Sequence, residues 1–249
     1  MNPAEVAAMI DHSLLHPALT DAEMREGCGL AVRLGTASVC VKPCGVRLAA
    51  GWLEGSGVKT GTVIGFPHGN SSIRVKVFET DHACREGAVE IDMVINIGKA
   101  LGGDWGYVEE EIRAVRACCR EHGALIKVIF ENDLLPDPRM KIRLCEICTR
   151  EAADFAKTST GYGFVRDPDG RFSAKGATDE DLRLMRLHCG PDVRIKAAGG
   201  IRTLDDLLRV KALGADRVGA TATAAIVSEA VRRQGGGRTD TPAREKTGH

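Results

Sequence analysis

Three lysines and two aspartates of this chain stand inside apolar runs, where ionisable side chains are uncommon. Lys157 ends the run Ala153-Asp154-Phe155-Ala156-Lys157 and is followed at once by Thr158-Ser159-Thr160-Gly161. Asp92 lies within Ile91-Asp92-Met93-Val94-Ile95, Lys127 within Ile126-Lys127-Val128-Ile129, Lys196 within Ile195-Lys196-Ala197-Ala198, and Asp11 directly after Met9-Ile10. Burial disfavours the ammonium form, so a lysine held in a tight, partly dry space becomes a usable nucleophile toward carbonyl carbon. The chemistry this set can do is amine catalysis. Lys157 attacks an aldehyde or ketone and forms a Schiff base, whose iminium serves as an electron sink for making or breaking a C–C bond. A charged Lys196 nearby would lower the pKa of Lys157 by like-charge repulsion, and Asp92 would move protons directly or through one water. Each residue also has a plainer reading. Lys157 can snorkel from a strand end, Asp92 can be a structural acid, and Lys127 can serve only as a carboxylate's partner.

For these groups to meet, the elements carrying them must converge. Stretches at residues 9–15, 37–41, 58–64, 89–96, 124–130, 154–158, 193–198 and 216–219 read as strands, most of them apolar. Between them, residues 20–34, 49–55, 72–87, 107–123, 138–152, 178–190 and 204–213 read as helices. Thr20 with Glu23 has the spacing of a capping box, and Gly35 is a stop signal. Strand and helix alternate, with connections too long for hairpins, so the strands are expected to be parallel. About eight such units in about 230 residues predict a single-domain α/β fold, the (β/α)8 TIM barrel, over residues 1–233. The first turn after a strand lacks G-x-G-x-x-G, which argues against a dinucleotide fold. Residues 234–249 are Gly-, Thr- and charge-rich without periodicity and read as a disordered tail. Residues 164–175 read as an inserted hairpin with Asp169-Gly170 at its tip.

Chemistry in such a barrel collects where the C-terminal ends of the strands meet. Asp11, Cys40, Asp92, Lys127, Lys157 and Lys196 all fall near strand ends. Cys40 is expected to line the pocket as a thiol and not to act as a nucleophile, because no histidine or basic residue adjoins it in sequence. Ala198-Gly199-Gly200, and Gly219 to Thr223 leading into a short helix, suggest a phosphate site. Glycines let backbone N–H groups approach an anion, and a helix N-terminus favours negative charge.

Composition narrows the function class. The 249 residues are 43% hydrophobic, and 34 basic residues balance 34 acidic ones for a net charge of +0. That balance gives no footprint for nucleic acid, and no apolar run is long enough to span a membrane. The nine cysteines are an odd number in a chain that does not open on a secretory segment, so reduced thiols in a cytoplasm are expected. Cys145 and Cys148, and Cys118 and Cys119, fall in helical stretches with no His/Cys pair at zinc-finger spacing, and read as helix-face thiols.

The motifs in order are Ile10-Asp11-His12-Ser13-Leu14-Leu15, Val39-Cys40-Val41, Val63-Ile64-Gly65-Phe66-Pro67, Glu90-Ile91-Asp92-Met93-Val94-Ile95-Asn96, Lys127-Val128-Ile129, Ala156-Lys157-Thr158-Ser159-Thr160-Gly161 and Lys196-Ala197-Ala198-Gly199-Gly200-Ile201-Arg202. Together they cover the chain to about residue 230 and resemble the deoxyribose-phosphate aldolase family. The resemblance implies a class I, metal-free and cofactor-free aldolase that reversibly cleaves 2-deoxy-D-ribose 5-phosphate to D-glyceraldehyde 3-phosphate and acetaldehyde. By motif position Lys157 matches the Schiff-base lysine, Asp92 the proton-relay aspartate and Lys196 the lysine that tunes the nucleophile. Gly199, Gly200 and Thr221 match phosphate-binding positions, while Asp11, Cys40, Lys127 and Thr158 are expected at the substrate. A homo-oligomer is compatible with a barrel of this kind.

The chain departs from the family pattern in places. Ala220-Thr221-Ala222-Thr223 stands where paired serines are common, His16 where many members have lysine, and Glu131-Asn132-Asp133 where Glu-Thr is usual. The tail ends without the tyrosine some members carry. These differences leave open an aldolase with another carbonyl donor or acceptor, or a non-catalytic barrel that binds sugar phosphates.

Overall fold

The computed structural model describes residues 1–166 and 168–235. Among these, eight parallel strands close into a barrel: β1 (Ile10–Leu14), β2 (Ser38–Val41), β3 (Lys59–Ile64), β4 (Glu90–Val94), β5 (Leu125–Ile129), β6 (Phe155–Lys157), β9 (Arg194–Ala198) and β10 (Arg217–Ala220). Each pairs with the barrel strands before and after it, and β10 returns to β1. The remaining two, β7 (Val165–Arg166) and β8 (Phe172–Ser173), form the antiparallel hairpin expected between residues 164 and 175.

The helices that cross between barrel strands are α2 (Asp21–Leu34), α3 (Val46–Leu53), α4 (Ile73–Arg85), α6 (Trp105–Glu121), α7 (Pro138–Arg150), α8 (Asp179–His188) and α9 (Leu204–Ala212). The expected capping box of α2 forms, with the Thr20 side chain accepting from Glu23 N–H, and Gly35 ends the helix in the left-handed conformation. The main apolar core fills the layer between strands and helices; Ile91, Met93, Ile126, Val128 and Ile195 are fully buried in it.

Two short helices were not legible as periodic runs. In α1 (Pro3–Ala7), Asn2 and Glu5 form a capping box with Pro3 at the first position. In α5 (Ile97–Leu101), the Asn96 side chain caps Lys99 N–H, so Asn96 ends the fourth strand earlier than the apolar run suggests. The helix after the last strand, α10 (Thr223–Gly235), is not short but spans 13 residues, and takes in Gln234 and Gly235. The rest of the expected tail lies outside the described residues. Among the described residues no helix is long and apolar enough to cross a membrane.

Register explains why the charged residues meet. Parallel pairing sets Asp92 beside Lys127 and Lys157 beside Lys196. Side chains alternate between faces along a strand, so Glu90 and Asp92 both point into the barrel while Ile91 and Met93 point to the helices.

Candidate active site

Inside the barrel the ionisable groups form one ladder of ion pairs. Lys157 Nζ lies 2.7 Å from Asp92 Oδ2, and Lys196 Nζ reaches the same oxygen at 2.7 Å. Lys196 also meets Asp11 Oδ2 at 2.6 Å. Below them Lys127 Nζ touches three carboxylates, Glu90 at 2.6 Å and Asp11 and Asp92 at 2.9 Å each. Arg217 closes the lower end on Asp11 and Glu90.

Four cationic side chains thus face three carboxylates. With every basic group protonated the cluster carries one cation too many, at a depth where an uncompensated charge is costly. The excess falls on Lys157. Burial lowers its pKa most, the Asp92 carboxylate opposes that, and the Lys196 ammonium adds to the lowering; the net direction is down. Lys127 and Lys196 feel burial too, but each has two or more carboxylates against it and ends up raised. Burial raises the Asp92 carboxyl, yet the ammoniums of Lys127, Lys157 and Lys196 outweigh it and hold Asp92 far below the usual carboxylate range. One amine is therefore biased toward its free base, one stays charged across from it, and one carboxylate between them stays ionised.

Lys157 is 3% exposed, and that small opening faces a cavity of about 230 Å³ at the C-terminal mouth of the barrel. Asp11, Cys40 and Lys196 share its floor, with Tyr162 on one side. Gly199, Gly200, Arg202 and Thr221 line the cavity as well. Gly199 and Gly200 have φ of +89° and +81°, and a Cβ on Gly199 would stand 2.8 Å from Gly176 Cα, so only glycine lets this turn lie against residue 176. Thr223 opens α10 there, its hydroxyl 2.8 Å from Nδ1 of the buried His12, which fixes the helix start against β1.

A family model described as DeoC/LacD family aldolase matches residues 5–229. The chain belongs to the DeoC/LacD aldolase family. It is 48% identical over 231 residues to the deoxyribose-phosphate aldolase of Rhodopirellula baltica, covering 93% of this chain and 91% of that one. Identity to the deoxyribose-phosphate aldolase of Clostridium perfringens is 45% over 226 residues, 91% of this chain and 96% of the relative. Among solved structures it is similar to the tetrameric deoxyribose phosphate aldolase of Aeropyrum pernix. There the TM-score is 0.81 at 29% identity, with 91% of each chain covered. The aldolase QR15 gives a TM-score of 0.83 at 33% identity, covering 92% of this chain and 97% of that one.

Within this DeoC/LacD-family barrel, Lys157, Asp92, Lys196 and Asp11 come together as the strand-end reading expects. Cys40 lines the cavity, and its pKa is pushed up to about 11 by burial and the Asp92 charge, which keeps it a thiol. Two expected substrate contacts are corrected. Lys127 is fully buried beneath the floor, with its ammonium spent on three carboxylates, and does not line the cavity. Thr158 points outward, and its Oγ1 bonds both Ala198 O and Ala198 N–H at 3.0 Å, tying β6 to β9.

Several site residues were missed by the sequence reading. Glu90 and Arg217 complete the charge ladder; the signal for Glu90 was its two-residue spacing from Asp92. Arg202 and Tyr162 lie on loops and carry no periodic signal. Glu131 is buried behind the cavity-lining Thr160 in a left-handed conformation, φ 47°, and its carboxylate accepts from Thr160 N–H and Oγ1. A Cβ on Gly163 would strike that carboxylate at 2.3 Å, so the loop after β6 folds over Glu131 only because glycine is there.

Proposed function

We propose that this chain is a class I aldolase that reversibly cleaves 2-deoxy-D-ribose 5-phosphate to D-glyceraldehyde 3-phosphate and acetaldehyde. The observation that carries the reading is the trio at the cavity floor: an amine biased toward neutrality, bonded to an ionised carboxylate, with a charged second amine on the same oxygen. The curated relatives named for this activity support it.

Free Lys157 attacks the C1 aldehyde of the open-chain sugar, and loss of water from the carbinolamine leaves a protonated imine. The C2–C3 bond breaks, its electron pair moves into the imine to give an enamine, and the C3 hydroxyl loses its proton to become the aldehyde of the phosphorylated product. Protonation at C2 and addition of water at C1 then release acetaldehyde and restore the amine. Lys196, held charged by Asp11 and Asp92, keeps Lys157 from gaining a proton. The ammoniums of Lys127, Lys157 and Lys196 keep Asp92 ionised. Its role is to accept hydrogen bonds from Lys157 and a bridging water, and so to pass protons on. Gly199 and Gly200, Thr221, the N-terminus of α10 and Arg202 form the corner best suited to the phosphate.

Trapping with acetaldehyde and borohydride, followed by peptide mass spectrometry, tests the reading. Wild type gains an N-ethyl group on Lys157, while Lys157→Ala gains none and loses retro-aldol activity. A barrel that only senses sugar phosphates would gain no covalent mass in either form. A donor and acceptor panel separates this reaction from that of an aldolase with another donor. We further read the protein as a cytoplasmic homo-oligomer. Support comes from seven of the nine free thiols being buried, from the tetrameric relative, and from Val75 and Phe78 standing exposed on α4. Sedimentation equilibrium giving the 26.6 kDa monomer at all concentrations would overturn the assembly.

A further inference from the structure

The second concentration of chemically versatile side chains lies outside the barrel, where α4 packs on α6. Asp81, Cys118 and His122 each offer one ligand atom there, and these atoms all lie within 4.8 Å of one another. Asp81 comes from the last part of α4, Cys118 from the last turn of α6 and His122 from the residue that caps α6, one helical turn on and on the same face. Both helices run down toward the entry of the next strand, so the cluster sits at the end of the barrel opposite the cavity.

We propose that Asp81, Cys118 and His122 form a zinc site that clamps α4 to α6. The donor set is one thiolate, one imidazole and one carboxylate, which selects a borderline-soft divalent ion of tetrahedral habit. Charge balance agrees, because a divalent cation is neutralised by the Cys118 thiolate and the Asp81 carboxylate once the thiol proton has left to solvent. The cluster lies at the C-terminal end of α6, whose last carbonyls carry partial negative charge, which favours a cation. Asp81 and His122 are partly exposed, so solvent can supply a fourth ligand.

Without an ion, the same groups find weaker partners. His122 Nε2 lies 2.8 Å from Asp81 Oδ1, Arg85 Nε donates to Asp81 Oδ2 at 2.8 Å, and the Cys118 thiol has only a 3.8 Å contact to Val77 O. Arg85 is mostly exposed and free to swing away. Sequence spacing alone makes Cys118 a helix-face thiol, because its partner Asp81 lies on a different helix, far along the chain.

Co(II) titration of the full-length, chelator-treated protein tests this. Wild type is expected to give the near-ultraviolet charge-transfer band of a thiolate-bound ion, and Zn(II) to raise the melting temperature by about 5 °C at a large excess over Kd. Cys118→Ser loses both, and His122→Gln, whose amide can still donate to Asp81, weakens both by at least tenfold in Kd. Cys44→Ser, which removes an exposed thiol elsewhere, leaves both intact. The retro-aldol rate is unchanged by Zn(II) in every form, since the site is remote from the cavity. Absence of the band in wild type, or an equal zinc shift in Cys118→Ser and His122→Gln, overturns the proposal and leaves an Asp81–His122 ion pair. If Cys118→Ser fails to fold, His122→Gln alone decides.

Discussion

Two buried lysines of this protein share a lowered pKa and differ in everything that follows from it. Lys76 lies outside the barrel on the inner face of α4, fully enclosed, with its ammonium 2.6 Å from Glu111 and 2.7 Å from the Val94 carbonyl. Burial is the largest influence on both partners of that pair, lowering Lys76 and raising Glu111 against their mutual attraction. Lys157 is lowered by burial as well, but it shares its only carboxylate with two other ammoniums and opens on a cavity. Burial alone therefore does not make a nucleophile. Lys76 has a carboxylate to itself and no route to a substrate, and it serves to anchor the end of β4, where Glu111 also accepts from Asn96 N–H. The difference that counts is a surplus of positive charge and a way in.

The sharpest way to break the comparison is Asp92→Asn. It removes the proton path and the acceptor at Lys157, and kcat for retro-aldol cleavage is expected to fall by about 10²- to 10⁴-fold with the protein still folded. A smaller loss would mean that the proton leaves by another route. Next in size is Glu111→Ala, which strands the Lys76 charge and should cost about 3–5 kcal/mol in urea unfolding, while activity per folded molecule stays the same. A fall in activity without a fall in stability would join Lys76 to the catalytic set.

Lys196→Met tests the like charge. Lys196 lowers the pKa of Lys157, so its removal raises that pKa. The ascending limb of the pH–rate profile then moves to higher pH, and the deficit is largest at low pH and partly recovered at high pH. A limb that stays in place would assign the lowering to burial alone. The smallest effect belongs to the double change Lys76→Met with Glu111→Leu. Replacing both members of a buried pair with apolar groups of similar size is expected to shift stability by no more than about 1 kcal/mol, measured against each single variant.

Strand and helix order was legible from hydrophobic periodicity, since most barrel strands are apolar runs and the crossover helices are amphipathic, while β10 (Arg217–Ala220) carries little apolar signal and was placed by its position in the alternation. Asp92, Lys157 and Lys196 were legible for the same reason, as charged residues interrupting apolar strands. The short helices α1 and α5 escaped because one turn carries no period. Lys127 was placed at the substrate because position along a strand does not say how deep in the barrel a residue lies. Thr158 was misplaced because its neighbours are hydroxyls as well, and only the alternation of faces separates inward from outward.

The chain's own order of residues was enough to determine a parallel barrel and to single out Lys157 as a candidate amine, because periodicity and misplaced charge are local properties. Only the folded structure decided which lysine is short of a carboxylate, which glycine turn lines the cavity, and that Asp81 meets Cys118 and His122. Those facts depend on register and helix packing between segments far apart in the chain. Electrostatic balance is a sum over everything within a few ångströms, and no stretch of sequence contains that sum.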